Sequence, residues 1–127
     1  MASYSFVHAA DLHLDSPFKG LKRVSPQIAE ELRKSTFEAF NAVLDLCIAE
    51  HVDALLIAGD IFDSADQSLL AQLTFVDGLK RLESEGIRSF ICHGNHDPLD
   101  AWRSEIPFPE TAFRFGETVV SSELRPS

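Results

Sequence analysis

Three short polar clusters carry the residue types that do chemistry: "DLH" from Asp11 to His13, "GDIFD" from Gly59 to Asp63, and "GNHD" from Gly94 to Asp97. Together they offer carboxylate oxygens (Asp11, Asp60), an amide oxygen (Asn95) and imidazole nitrogens (His13, His96). A mixed oxygen and imidazole donor set suits Mn²⁺, Fe²⁺, Zn²⁺ or Co²⁺. Thiolates are absent from all three clusters, which argues against a cysteine-type structural zinc site. A carboxylate placed between two cations bridges them at about 3.5–4 Å, the geometry of two-metal phosphoester hydrolysis. Gly59 lets the backbone turn sharply just before Asp60.

Each residue also has a simpler reading. Asp11 can cap a turn, His13 can be a surface histidine, and Asp60 after glycine is a common turn residue. Asn95 after Gly94 tolerates a left-handed backbone. Asp63 reads as the cap of a following loop rather than a direct ligand. His8 alternates with Phe6 and reads as a packed core residue. His51 reads as structural, at a helix end where a cation is favourable, and His93 stays open between the two kinds of role. Turn chemistry accounts for any one of these singly. It accounts poorly for D-x-H, G-D and G-N-H-D recurring at three separate places.

The elements that must position these clusters follow from periodicity. "YSFVHAA" (Tyr4 to Ala10), "DALLIA" (Asp53 to Ala58) and "IRSFIC" (Ile87 to Cys92) read as strands. The second is apolar enough to be buried on both faces. "SPQIAEELRKSTFEAFNAVLDLCIAE" reads as a long helix, with Ser25 as N-cap and Pro26 at its first position. Ile28, Leu32, Phe40, Leu44 and Cys47 or Ile48 recur at helical spacing and define its apolar face. "SLLAQLTFVDGLKRLESE" reads as a second helix, with Leu69, Leu73, Val76 and Leu79 on one face and Gly86 as its stop. A βαβαβ order predicts an α/β fold with a parallel sheet and right-handed crossovers. Asp11 and His13 are two apart, so in an extended segment both point one way. All three clusters then fall on the carboxyl edge of the sheet, where open α/β sheets bind ligands. Beyond Asp97 the chain holds four prolines and no long period, and Val119 and Val120 are the residues there suited to a fourth strand. Residues 1–127 read as a single domain with no linker.

Composition bounds the function. Twenty acidic and 11 basic side chains give 127 residues a net charge of −9. That argues against a nonspecific DNA-coating protein, which would be basic, and fits an enzyme whose attraction for phosphate comes from bound cations. Cys47 and Cys92, both in apolar surroundings, read as buried thiols of a reducing compartment. "MASYSFVHAADLH" lacks a basic segment followed by a long apolar run. No stretch approaches the ~20 apolar residues of a membrane span. A cytoplasmic location is the resulting expectation.

"DLH", "GDIFD" and "GNHD", in this order and spacing, resemble the first three signature blocks of the calcineurin-like metallophosphoesterases. The wording around them, "FVHAADLHLDSPFKGL" and "LLIAGDIFDS", resembles more narrowly the DNA-repair exonuclease branch, which includes SbcD-like and YhaO-like proteins. The resemblance covers about residues 5 to 98. It implies two divalent metal ions, Mn²⁺ first among them. Asp11 and His13 would bind the first ion, Asp60 would bridge, and Asn95 would bind the second. His96 would be catalytic, protonating the leaving oxygen rather than ligating. Asp97 would orient that imidazole, with Asp63 also outside the direct ligand set. DNA is the implied substrate, cleaved as an exonuclease or endonuclease in repair, and an SMC-like ATPase is the implied partner.

One departure bears on all of this. The family pattern continues with a lone histidine and a G-H-x-H block, whereas this sequence has no histidine after His96. The chain therefore reads as the N-terminal portion of a metallophosphoesterase sandwich, poorly active by itself. Its uncovered apolar surface would invite a homodimer. Two other readings stay in view. One is a phosphodiesterase or phosphatase acting on a small molecule or phosphoprotein, and the other is a non-catalytic fragment.

Overall fold

The computed structural model describes residues 3–62, 68–93 and 107–115. Element order is β1 (Phe6–Ala10), α1 (Lys19–Lys22), α2 (Pro26–Ala49), β2 (Ala54–Ala58), α3 (Leu69–Ser84), β3 (Arg88–Cys92) and β4 (Ala112–Phe115). The four strands form one sheet in the order β1-β2-β3-β4, and every neighbouring pair is parallel. The α/β architecture and the parallel sheet expected from the sequence are both present.

Both long helices form where local chemistry starts and stops them. Ser25 caps α2 by accepting the Ile28 N–H, and Pro26 fills the first turn, where no hydrogen-bond donor is missed. Ser68 caps α3 by accepting the Ala71 N–H at 3.0 Å; such a cap contributes about 1 kcal/mol. At the far end of α3, Gly86 sits at φ 75°, its N–H bonded to Glu83 O, while the Ile87 N–H reaches Leu82 O. This is the paired 5→2 and 6→1 arrangement that consumes the last carbonyls of a helix. The end of α2 repeats it without glycine: His51 lies at φ 51°, with Val52 N–H on Cys47 O. His51 is structural, as expected, but as the left-handed residue that ends the helix.

The register explains which face is buried. Val7, Leu55 and Ser89 form one row across β1 to β3, and Ala9, Ile57 and Ile91 form another on the same face. Against these pack Phe40, Leu44 and Cys47 of α2 and Phe75, Val76, Leu79 and Leu82 of α3. Strands added in one direction by crossovers of one hand place both connecting helices on the same side. At their contact a Cβ on Gly78 would stand 2.7 Å from the Phe40 ring, so glycine permits the approach.

The opposite face carries Phe6, His8, Leu56, Phe90, Phe113 and Phe115. No described element covers it, and Phe6 remains 58% exposed. That face corrects two expectations. His8 is an exposed residue rather than a core one, because its row is the one the helices do not reach. Cys92, on the same face, is an exposed free thiol, whereas Cys47 is buried. Burial pushes the Cys47 thiol pKa up from its ordinary value.

The helix faces also differ in detail. Phe40, Leu44 and Cys47 are buried, but Ile28 and Leu32 are exposed. In the first turns of α2 the buried residue is Ala29, which lies outside the core cluster and lines a small open pocket with Pro17 and Lys22. On α3, Val76 and Leu79 are buried while Leu69 and Leu73 are exposed; the inward stripe runs through Gln72, Phe75, Val76, Leu79 and Leu82. The fourth strand is Ala112–Phe115, and Val119 and Val120 lie outside the described residues. It pairs with β3 after a turn closed by Ala112 N–H on Pro109 O, and Thr111 is tied to Glu83 on α3.

Candidate metal centre

β1 and β2 are adjacent and parallel, so the segments leaving Ala10 and Ala58 emerge side by side at the carboxyl edge. β2 lies between β1 and β3, which makes Asp60 the central tip, as its place in the sequence suggests. The two exits are joined by backbone bonds that continue past the strands. Asp11 N–H donates to Gly59 O at 3.3 Å, His13 N–H to Asp60 O at 3.0 Å, and Leu14 N–H to Ile61 O at 2.7 Å. On the other side, Gly59 N–H donates to Cys92 O at 2.8 Å, tying in the end of β3. Leu14, Ile61 and Phe62 are buried below this seam and anchor both loops in the core.

The backbone within the seam is strained. Asp11 (φ 53°), His13 (φ 44°), Asp15 (φ 62°) and Asp60 (φ 42°) all occupy the left-handed region, next to Gly59 at 69°. Side-chain-bearing residues held there cost on the order of 1–3 kcal/mol each and concentrate at functional sites. Asp and His tolerate the region better than most residues, so the ligand-type residues are also the ones this backbone admits. The segment from Asp11 to His13 is thus not extended. The two side chains converge through alternating left-handed turns, not through strand alternation.

Ligand atoms of Asp11, His13 and Asp60 all lie within 4.8 Å of one another. Two ligands about 2.1 Å from one ion can be at most about 4.2 Å apart. A small side-chain rotation closes the difference, so this donor set can bind a divalent metal. Asp11 is exposed, and His13 and Asp60 are half-buried. Asn95, His96, Asp97 and Asp63 lie outside the described residues. The strand that leads to Asn95 ends at the same edge, and His93, directly after it, is half-buried.

Sequence reasoning missed Asp15. Its carboxylate accepts the Ser68 Oγ–H at 2.5 Å and lies 3.0 Å from Arg33 Nε. Its own N–H donates to Thr36 Oγ1 at 2.9 Å. The available signal was a third acidic or imidazole residue at the same two-residue interval, Asp11, His13, Asp15. Among the described residues no helix is long and apolar enough to cross a membrane.

Comparison with known proteins agrees with this arrangement. Residues 4–123 match the family model described as "Calcineurin-like phosphoesterase". The chain is 40% identical over 119 residues to the "Uncharacterized metallophosphoesterase YhaO" of Bacillus subtilis (strain 168), covering 94% of this chain and 29% of that protein. It is 30% identical over 102 residues to a subunit of the nuclease SbcCD of the same organism, covering 80% and 24%. With the "DNA double-strand break repair protein Mre11" of Sulfurisphaera tokodaii it shares 25% identity over 134 residues, covering 94% and 33%. The chain therefore spans a third or less of the length of these relatives. The donor cluster at the carboxyl edge and the family match over most of its length lead to one conclusion: the chain belongs to the calcineurin-like phosphoesterase family.

Proposed function

We propose that this chain forms the N-terminal part of a metal-dependent phosphodiesterase that cleaves DNA. The observation that carries the reading is the convergence of Asp11, His13 and Asp60 within 4.8 Å at the carboxyl edge of the sheet. Two divalent cations bound there, Mn²⁺ being the first choice, would supply an activated water and neutralise charge developing on the phosphoryl oxygens. In this scheme Asp11 and His13 would hold one cation, Asp60 would be shared between the two, and Asn95 would offer its amide oxygen to the second. His96 donates a proton to the leaving oxygen, and Asp97 orients its imidazole. Asp63 acts from outside the ligand set. The net charge of −9 over these 127 residues repels phosphate at long range, and cations bound at this site would supply local attraction for it.

The choice of DNA over a small phosphodiester rests on the kind of relatives found, a nuclease component and a double-strand break repair protein. An SMC-like ATPase is the partner that choice brings with it. The test is the full-length protein with Mn²⁺, offered linear duplex DNA and, separately, a chromogenic phosphodiester. Metal-dependent nucleotide release from the duplex, stopped by chelation and lost in Asp60→Asn, is the expected result. Turnover of the small diester alone, with duplex intact, would assign the site to another substrate class.

A further inference from the structure

The loop that carries Asp11 and His13 holds three side-chain-bearing residues in the left-handed region, a cost that contacts from outside the loop must offset. We propose that Asp15 is the positioning residue of the metal loop, fixing it to the two long helices so that Asp11 and His13 face Asp60. The inference rests on the metal-site reading above and adds to it the part that sets its geometry.

Asp15 meets both helices at once. Its Oδ2 accepts the hydroxyl of Ser68, the residue whose Oγ also caps α3 by accepting the Ala71 N–H. Its Oδ1 lies 3.0 Å from Arg33 Nε on α2, in a pair whose N–H is not aligned for a hydrogen bond, so the contact is Coulombic. Its backbone N–H donates to Thr36 Oγ1, one turn further along α2, and that hydroxyl itself donates to Arg33 O at 2.7 Å. The Asp15 side chain is only 10% exposed, so these contacts are shielded from water.

The loop between Ala10 and Asp15 is thus tied at both ends. Its first half is bonded to the β2 exit through Asp11, His13 and Leu14, and its second half is fixed by Asp15. Ser68 adds a consequence. The hydroxyl that caps α3 is thus the one bonded to the Asp11–Asp15 loop. One carboxylate therefore ties the Asp11–Asp15 loop to the start of α3 and to α2, behind the backbone bonds that join it to the β2 exit. Groups behind direct ligands typically change metal affinity by about 10–100-fold when removed.

The variant that isolates this role is Asp15→Gly. Glycine adopts a positive φ more easily than aspartate, so the change relieves backbone strain while deleting the carboxylate. If Asp15 served only to tolerate the left-handed turn, Asp15→Gly would leave the loop as firm as before. If it is the brace, amide hydrogen exchange at His13 and Leu14 speeds up by at least about tenfold, while Leu55 and Ile91 in the core exchange at wild-type rates. In parallel the dissociation constant for Mn²⁺, measured by titration calorimetry on the folded chain, rises by about 10–100-fold. Asp15→Asn, which keeps an oxygen for Ser68, recovers most of the exchange protection. Should Asp15→Gly not fold, Thr36→Val removes the acceptor of the Asp15 N–H, together with that hydroxyl's own bond to Arg33 O inside α2, and gives the same two readings. Wild-type exchange at His13 and Leu14, or faster exchange with unchanged Mn²⁺ affinity, overturns the proposal. If the wild-type chain itself shows no saturable Mn²⁺ binding, the metal reading is what fails. The exchange rates at His13 and Leu14 then decide the brace alone.

Discussion

His96→Ala in the full-length protein is expected to lose about 10²–10⁴-fold in turnover and to keep its Mn²⁺, because that is the usual contribution of a positioned acid or base. The order of residues after β3 gives the reason. In the proposed scheme Asn95 is the neutral oxygen donor, and the next residue is an imidazole. An imidazole titrates near neutral pH and can give a proton to an alkoxide leaving group without prior activation. The departing oxygen of a phosphodiester needs that proton when no cation neutralises it. Turnover and metal content separate the two roles open to His96. Metal retained with turnover lost makes it the acid; metal lost makes it a ligand. Unchanged cleavage by His96→Ala removes it from the mechanism.

The largest expected effect on stability is at Phe75. It is fully buried, stacks on Phe40 at a centroid distance of 5.5 Å and meets Phe62 edge-on at 6.3 Å and Phe108 at 6.5 Å. Those partners belong to α2, to the loop after Asp60, and to the approach to β4. Phe75→Ala removes the ring common to all three and should cost about 3–5 kcal/mol, a large fraction of the 5–15 kcal/mol typical of a folded domain. Chemical denaturation of both proteins reads the difference directly. A loss below about 1 kcal/mol would mean the surrounding rings collapse into the space. Because Phe62 lies two residues past Asp60, metal affinity in Phe75→Ala should also fall, by less than it does when a ligand is removed.

How legible this was in the sequence depended on which physical signal each residue carries. Helix limits were readable because caps are local chemistry: Ser25 with Pro26 at one start, Gly86 at one stop. The sheet direction was readable because strands alternating with helices admit few topologies. Which strand face the helices cover is a tertiary fact, and period-two alternation cannot supply it; His8 and Cys92 were misplaced for that reason. Ile28 and Leu32 continue the apolar period of α2, yet the first turns of the helix lie outside the core cluster, and periodicity does not say where the sheet ends. The "AFRF" strand escaped notice because four residues after a proline-rich stretch give too little pattern. The site itself was legible to the extent that Asp11, His13 and Asp60 meet where strand order puts them. Their route there was not. Left-handed turns at Asp11, His13, Asp15 and Asp60 leave no signature in composition, and Asp15 acts through residues 21 and 53 positions away in the chain.

The central claim is that Asp11, His13 and Asp60 form a divalent-metal centre, and titrating Mn²⁺ into the wild-type and Asp60→Asn proteins, with free Mn²⁺ followed by electron paramagnetic resonance, tests it most directly. Asp60 is the residue common to both cations in the proposed arrangement, and exchanging its carboxylate for an amide removes charge without changing shape. The account predicts saturable binding in the wild type and an affinity more than about 100-fold weaker in Asp60→Asn, beyond what loss of a group behind the ligands produces. Equal affinity in the two proteins, or no saturable binding in the wild type, would contradict it.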